Sequence, residues 1–210
     1  MTRSPRLPPT RFVLRVLGLL CVLAWAPASE GVASGPTEQL RGAVDRVLRV
    51  LEDPTLKDAA RVAERRRAVR QIADEIFDFE ETARRAMAQH WRSLTVEQRK
   101  EFVDLFAELL ERAYMSKIEL YGGESIQYPG ERVEGDYATV FTRLTTKKGV
   151  EVPIDYRMLR RDGRWRAYDV SIEGVSLVAN YRTQFNSIVR TASVDELLGK
   201  LRSRVEEARR

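Results

Sequence analysis

Apolar residues in the first half of the chain recur three or four positions apart, which is the spacing of one face of an α-helix. Leu40, Val44 and Leu51 lie on such a face, and the spacing predicts a helix that ends at Asp53-Pro54. The same periodicity predicts a second helix from Leu56 to Phe77 and a short third one from Asp78 to Ala88.

The clearest predicted helix begins at Thr95. Thr95 and Gln98 have the spacing of a capping box, in which each side chain bonds the backbone of the other residue. A wide apolar stripe follows from Phe102 to Tyr121 and includes Phe106, Leu110 and Tyr114. A stripe of this width needs a cover on one side, and Gly122-Gly123 ends the helix.

Residues 126 to 172 alternate in the manner of strands. Four strands are predicted, over Ile126–Val133, Tyr137–Thr145, Val150–Met158 and Trp165–Ile172. In the third strand Pro153 points away from the apolar face, which indicates an edge strand or a bulge. Together with the helices, these strands predict a single α+β domain in which a four-stranded antiparallel sheet packs against several amphipathic helices.

Residues 168–185 join a strand pattern to a helix pattern. Tyr168, Val170 and Ile172 share one parity and are therefore expected on one face of the last strand. Gly174 permits a tight turn, and Ser176 is a typical helix cap. The helix from Ser176 to Arg190 would carry Leu177, Tyr181 and Phe185, and a last helix begins at Ser193.

The N-terminus has the features of a secretory leader. Four arginines are followed by the ten-residue apolar run Val16–Trp25 and by the small-residue site Ala26-Pro27-Ala28. Ten apolar residues are too few to span a bilayer, which takes about 20. We therefore expect a signal peptide over residues 1–28, cleavage near Ala28 and one domain over residues 29–210; an uncleaved anchor is the alternative.

Removal of this leader changes what the composition implies. The chain has a formal net charge of +5, and the leader holds four arginines and no acidic residue, so the mature domain carries +1. A nearly neutral domain gives little support to nucleic-acid binding. The single cysteine, Cys21, lies in the leader, so the mature chain has no thiol for a disulfide, a nucleophile or a metal site.

Catalytic motifs are sparse. His90 is the only histidine, no zinc-binding His-x-x-x-His pair exists, and no phosphate loop is present. Ser93 lies three residues after His90 and keeps a catalytic hypothesis open, but no third orienting group is evident. The segment Glu173-Gly174-Val175-Ser176 lacks the second glycine of a nucleophile elbow.

An ordered set of short motifs resembles one protein family. The set begins with Phe77-Asp78-Phe79, followed by Trp91 ahead of Thr95-Val96-Glu97-Gln98-Arg99 and by Tyr114. Next comes Val152-Pro153-Ile154-Asp155-Tyr156. The last motif is Trp165-Arg166-Ala167-Tyr168-Asp169-Val170, which continues through Ile172-Glu173-Gly174-Val175-Ser176 to Phe185. It is similar to the MlaC or toluene-tolerance family of periplasmic phospholipid-binding proteins. Ala88-Gln89-His90 departs from the glycine that many members have before the tryptophan.

The resemblance implies a monomeric carrier without a cofactor or a metal. Such a carrier would hold phospholipid acyl chains in an apolar pocket and shuttle lipid between the outer and the inner membrane, which maintains outer-membrane lipid asymmetry. Its implied partners are an outer-membrane lipoprotein–porin complex and an inner-membrane MCE-domain transporter complex. The alternatives are a secreted lipid-modifying enzyme that uses His90, and a non-lipid adaptor module of the same fold.

The resemblance also implies which side chains meet the lipid. The residues alone leave ordinary core packing and a pocket both open at every one of these positions. Val175 is expected to face the pocket, Asp169 to make a local hydrogen bond, and Arg182 to meet a phosphate or to pair with Asp169 or Glu173. The implied lipid-binding residues are Phe106, Leu110, Tyr114, Tyr156, Tyr168, Val175, Leu177, Tyr181 and Phe185.

Overall fold

The computed structural model describes residues 34–207, and the predicted leader therefore lies outside the described residues. Within this range the chain forms six α-helices and five strands. The elements are α1 (Pro36–Glu52), α2 (Val62–Ile76), α3 (Phe79–Met87), α4 (Val96–Glu119), β1 (Ser125–Glu134), β2 (Tyr137–Thr145), β3 (Glu151–Arg161), β4 (Arg164–Ile172), β5 (Val175–Ser176), α5 (Leu177–Thr191) and α6 (Val194–Glu207).

Local side-chain chemistry sets where several helices begin. The capping box at α4 is confirmed, since the Gln98 N–H donates to Thr95 Oγ1 at 3.1 Å and the Thr95 N–H donates to Gln98 Oε1 at 3.0 Å. Asp78 caps α3 by accepting from the Glu81 N–H. The second helix is shorter than predicted, because two 3₁₀ turns occupy Pro54–Leu56 and Ala59–Arg61 before α2 begins.

The sheet is antiparallel and follows the chain order β1-β2-β3-β4-β5. It has five strands, so the prediction of four is wrong. The fifth strand has only two residues, Val175 and Ser176, which pair with Ile172 and Ser171. The turn before it needs left-handed backbone, with φ of 51° at Glu173 and 82° at Gly174.

Two details of the sheet differ from the sequence-based expectations. Pro153 lies in a central strand rather than an edge strand. The ladder to β4 ends at Ile154, and just beyond it the Pro153 carbonyl accepts from the Glu173 N–H at 2.9 Å. A bulge places Asp169 opposite Arg157 and Ala167 opposite Met158, so Tyr168 has no partner across the ladder.

The bulge also corrects the predicted facing of Tyr168. Val170 pairs with Tyr156 and Ile172 pairs with Ile154, so these four residues share one face of the sheet. The Tyr168 ring instead stands edge-on to Tyr137. Tyr137 points to the opposite face, because its neighbour Ala138 pairs with Met158 on the face of Val170 and Ile172. The alternation reverses at the bulge, and Tyr168 does not share the face of Val170 and Ile172.

Buried side chains form two hydrophobic cores. The helical core joins α3, α4, α5 and α6 around Phe102, Phe106 and Phe185. The sheet core joins α1 and α2 to one face of the sheet, here called the inner face, around Val140 and Met158. The predicted α+β class, with amphipathic helices on an antiparallel sheet, is confirmed.

Candidate binding site

The inner face of the sheet is closed at one end and open at the other. Toward the β1–β2 and β3–β4 turns, Ala138, Val140 and Met158 are at most 5% exposed. Toward the β2–β3 turn, apolar side chains on the same face are only half-buried. They form three cross-strand pairs, which are Leu144 with Val152, Ile154 with Ile172, and Tyr156 with Val170.

Tyr156 lies at the boundary between the closed and the open part of this face. Burial raises the pKa of Tyr156 to about 12, because a phenolate is poorly stabilised away from water. Burial likewise raises the pKa of Tyr128 to about 12, and the nearby Tyr156 adds to this effect. The Tyr128 hydroxyl is buried without a hydrogen-bond partner among residues 34–207, which marks an apolar environment.

A second group of aromatic side chains joins α4 to α5. Phe106 stands edge-on to Tyr181 and Phe185, with ring centroids 5.0 and 5.2 Å apart. Phe106 and Phe185 are 1% and 3% exposed, so they belong to the closed helical core. Tyr181 is half-buried at its edge, as are Leu110 and Tyr114, and burial raises the pKa of both tyrosines.

The junction between β4 and α5 is organised by Asp169, which is 4% exposed. Its Oδ2 accepts from the Ser176 hydroxyl at 2.6 Å, and its Oδ1 accepts from the Val178 N–H at 3.0 Å. Arg157 forms an ion pair with the same carboxylate at 3.2 Å. The expected local hydrogen bond of Asp169 is confirmed, and Ser176 caps α5 by accepting from the Ala179 N–H.

Arg182 makes none of the contacts expected of it within the chain. Its Nε donates to the backbone carbonyl of Arg85 at 2.9 Å, whereas the partner of Asp169 is Arg157. Arg85 in turn lies over the Tyr168 ring, 3.9 Å from its centroid. Arg182 therefore ties α5 to α3 through the backbone.

The nine implied lipid-binding residues fall into three environments. Phe106, Tyr168 and Phe185 are buried, and Val175 is 60% exposed at the edge of the sheet. The remaining five are half-buried: Leu110, Tyr114, Tyr156, Leu177 and Tyr181. Their contact with lipid stays a prediction.

Sequence reasoning gave no binding role to most of the half-buried inner face. Leu144, Val152, Ile154, Val170 and Ile172 were absent from the implied set, although Val152 and Ile154 share the parity of Tyr156. That shared parity was the available signal. The parity could not reveal that α1 and α2 bury only one end of the inner face, because this depends on where the two helices cross the sheet.

Two clefts lie outside this face. A cleft of about 520 Å³ between α2 and α4 is lined mainly by charged side chains such as Arg66, Arg70 and Glu111. A second, of about 500 Å³, separates α5 from α6 near Ile188 and Lys200. The lining of the second cleft mixes polar side chains with apolar ones such as Phe185 and Leu201, and the predicted apolar pocket stays a prediction.

The His90 segment does not form a catalytic pair with Ser93. The Ser93 hydroxyl donates to the backbone carbonyl of His90 at 2.8 Å, while the imidazole Nε2 lies 2.9 Å from Asn186 Oδ1. Among residues 34–207, no group of three or more His, Cys, Asp or Glu side chains is placed to hold a metal ion. In the same range, no helix combines the length and the apolar character needed to cross a membrane.

Comparison with known proteins gives the class of the fold and then the family. The solved structure of a phospholipid-binding protein from Ralstonia solanacearum, in complex with a phospholipid, superposes with a TM-score of 0.74 at 26% identity. The match covers 84% of this chain and 100% of that one. The family model of the MlaC protein matches residues 41–203, and the chain therefore belongs to the MlaC family.

Two curated relatives are similar in sequence. The intermembrane phospholipid transport system binding protein MlaC of Haemophilus influenzae is 25% identical over 129 residues, which span 59% of this chain and 60% of that protein. The toluene tolerance protein ttg2D of Pseudomonas putida is 24% identical over 170 residues, which span 80% of this chain and 79% of that protein.

Proposed function

We propose that this protein is a periplasmic carrier that holds a phospholipid by its acyl chains. The observation that carries the proposal is the half-covered apolar end of the inner sheet face, in a fold shared with a relative that was solved with a bound phospholipid. A closed domain would fill that end with side chains, since protein interiors pack densely.

The energetics of lipid transfer explain why such a surface is needed. Two acyl chains contain roughly 30 methylenes, and each contributes about 0.8 kcal/mol on leaving water. A phospholipid therefore does not cross an aqueous compartment alone at a useful rate. A carrier must supply apolar contact and few hydrogen bonds, and the row from Leu144 through Ile154 to Ile172 has this character.

The implied site residues divide into two roles in this proposal. The half-buried side chains of Leu110, Tyr114, Tyr156, Leu177 and Tyr181 would contact the acyl chains, with Val175 at the rim. The buried rings of Phe106 and Phe185 would pack behind Tyr181, whereas the Tyr168 ring contacts Tyr137 and Arg85. No chemistry is required of the carrier.

The proposal extends to the route of transport. The carrier would be released into the periplasm by cleavage near Ala28. It would then exchange lipid with an outer-membrane lipoprotein–porin complex and with an inner-membrane MCE-domain transporter complex, and so maintain outer-membrane lipid asymmetry. Membership of the MlaC family and the sequence features of residues 1–28 support this route.

A charged substitution at the rim tests the proposal. Val175 is 60% exposed and pairs with Ile172, so Val175→Glu should fold normally while its carboxylate disfavours an apolar ligand alongside. We expect at least a fivefold drop in co-purified phospholipid per protein, the effect of about 1 kcal/mol. The fold is checked by circular dichroism and thermal melting.

Val133→Glu is the matched control. Val133 is 48% exposed and lies at the opposite end of the sheet, beside the β1–β2 turn. This variant should keep its full lipid load. Folded Val175→Glu protein with an unchanged load, or an equal loss in both variants, would contradict the proposed site.

A further inference from the structure

The outer face of the sheet, opposite the inner face, carries a concentration of arginines. Five of the ten residues from Arg157 to Arg166 are arginine, and one, Asp162, is acidic. The strand register brings several of them to one surface, because residues paired across a ladder point to the same side. This arginine face consists of Arg132, Tyr137, Arg157, Leu159, Arg161, Arg164 and Arg166.

The register arranges these side chains in rows. Arg161 pairs with Arg164 beside the β3–β4 turn, and the next row runs from Tyr137 through Leu159 to Arg166. The Tyr137 side chain is 48% exposed, and its neighbours across the ladders are Glu134 and Leu159. A large aromatic ring is thus left partly open to solvent on the same face as these arginines, with the Arg85 guanidinium 5.8 Å from its centroid.

Folding does not explain the arginines. Arg161 and Arg164 lie directly opposite each other, and like charges so placed destabilise a sheet. Arg132, Arg164 and Arg166 form no ion pair with any residue from 34 to 207. Arg161 is compensated by its ion pair with Asp78, but the other three have no such contact among residues 34–207, which indicates a contact outside the domain.

The carboxylates near this face do not cancel its hydrogen-bonding capacity. Arg157 pairs with Asp169 and Arg161 pairs with Asp78, but these carboxylates lie beneath the surface, with side chains 2% and 6% exposed. The two arginine side chains are themselves 51% and 47% exposed, so guanidinium N–H groups remain available on the solvent side. Exposed acids are Glu134, which pairs with Tyr137, and Asp162 in the β3–β4 turn, and the half-buried Asp155 lies beside Arg157 on the same face.

We propose that the arginine face is a docking surface for an acidic surface of a partner protein. Guanidinium groups bind carboxylates through paired hydrogen bonds, which gives both charge complementarity and orientation. A protein is favoured over a membrane because the basic residues of the face are all arginine and share it with an exposed tyrosine. Arginine and tyrosine are enriched in protein interfaces, whereas lysine is depleted there.

This inference rests on the proposed carrier function, since it supplies the surface by which a loaded carrier finds a membrane assembly. The arginine face lies on the other side of the sheet from the half-buried apolar end. We therefore expect loss of docking without loss of cargo. The two activities can be separated by mutation.

The test uses the double variant Arg164→Glu/Arg166→Glu. Its matched control is Lys147→Glu/Lys148→Glu, the same change of charge in the β2–β3 turn at the opposite end of the sheet. The probes are the two purified membrane assemblies of the proposed route and vesicles containing 30% anionic phosphatidylglycerol. Binding is measured by biolayer interferometry at two salt concentrations, with lipid load and melting temperature recorded for each sample.

We expect at least one protein assembly to bind the wild-type carrier more weakly at high salt, and the arginine variant to bind it at least tenfold more weakly. The lysine control should stay within twofold. The inference is overturned if neither assembly binds, if the two variants behave alike, or if only vesicle binding falls. A wild-type protein without lipid would instead overturn the carrier function, because lipid load is scored separately.

Discussion

The junction between β4 and α5 should depend on the Asp169 carboxylate. Asp169→Ala removes the acceptor of the Ser176 hydroxyl and of the Val178 N–H, and it removes the ion pair with Arg157. These three contacts tie the first turn of α5 to the last strand. The substitution therefore tests whether these hydrogen bonds and the ion pair stabilise the strand–helix junction, or whether apolar packing alone does so.

The expected loss follows from what each contact leaves behind. Val178 is 3% exposed, and a buried N–H without an acceptor costs about 1–3 kcal/mol. The Ser176 hydroxyl loses a charge-assisted bond, worth about 1.5–3 kcal/mol, although rotation toward water recovers part of this. The Arg157 side chain is 51% exposed, so its ion pair adds less than about 1 kcal/mol.

Together these terms predict that Asp169→Ala lowers the free energy of unfolding by about 3–4 kcal/mol. For a domain of this size that corresponds to a fall in melting temperature of roughly 10 °C. Asp169→Asn keeps an oxygen for the Val178 N–H and should lose about half as much. Urea unfolding followed by circular dichroism gives the free energies, and thermal melting gives the temperatures.

Asp155→Ala is the control for loss of a carboxylate on the same face of the sheet. Asp155 is half-buried in the neighbouring strand, and its side chain makes no hydrogen bond or ion pair with any residue from 34 to 207. This variant should stay within about 1 kcal/mol of the wild type. A loss below 1 kcal/mol for Asp169→Ala, or equal losses for both variants, would refute the reasoning.

Two further predictions concern His90 and Tyr156. His90→Ala removes the contact with Asn186 and should leave the lipid load within about threefold of wild type, measured on purified protein; loss of transport with normal fold and load would revive an enzymatic role. The pKa of Tyr156 is raised from 10.0 to about 12, so the folded state keeps a proton that the unfolded state releases, and stability is lost as pH rises from 10 toward 12. Urea unfolding at pH 9 and pH 11 should show Tyr156→Phe losing about 1 kcal/mol less than wild type between these values, and equal losses would contradict this.

Much of the helical part of the fold follows from local sequence. The capping box at Thr95 and the caps at Asp78 and Ser176 were predictable because each involves residues within three positions of one another. The positive φ at Gly174 was predictable for the same reason. Such features depend little on the rest of the chain.

The sheet shows where local reasoning stops. The reversal at Tyr168 arises from a bulge, and a bulge is set by the partner strand rather than by alternation within β4. The strand formed by Val175 and Ser176 is too short to leave a period in the sequence. Pro153 in a central strand is tolerated because the β4 ladder ends beside it, and no local signal encodes where a neighbouring strand ends.

The candidate site was predictable in residue type but not in extent. Tyr156 and Tyr181 are implied by the family resemblance, and both are half-buried. Whether a residue such as Phe106 lies in closed core or at an open edge depends on how the helices pack. The half-covered end from Leu144 to Ile172 is likewise a tertiary property.

Organic extraction of the purified periplasmic protein, followed by lipid mass spectrometry, tests the central claim most directly. The carrier function predicts intact phospholipid in a fixed ratio to protein, released only when the protein is denatured or extracted. Lysophospholipid with free fatty acid would indicate a lipid-modifying enzyme instead. A protein that contains no lipid, yet still binds the membrane assemblies, would contradict the carrier function and leave an adaptor.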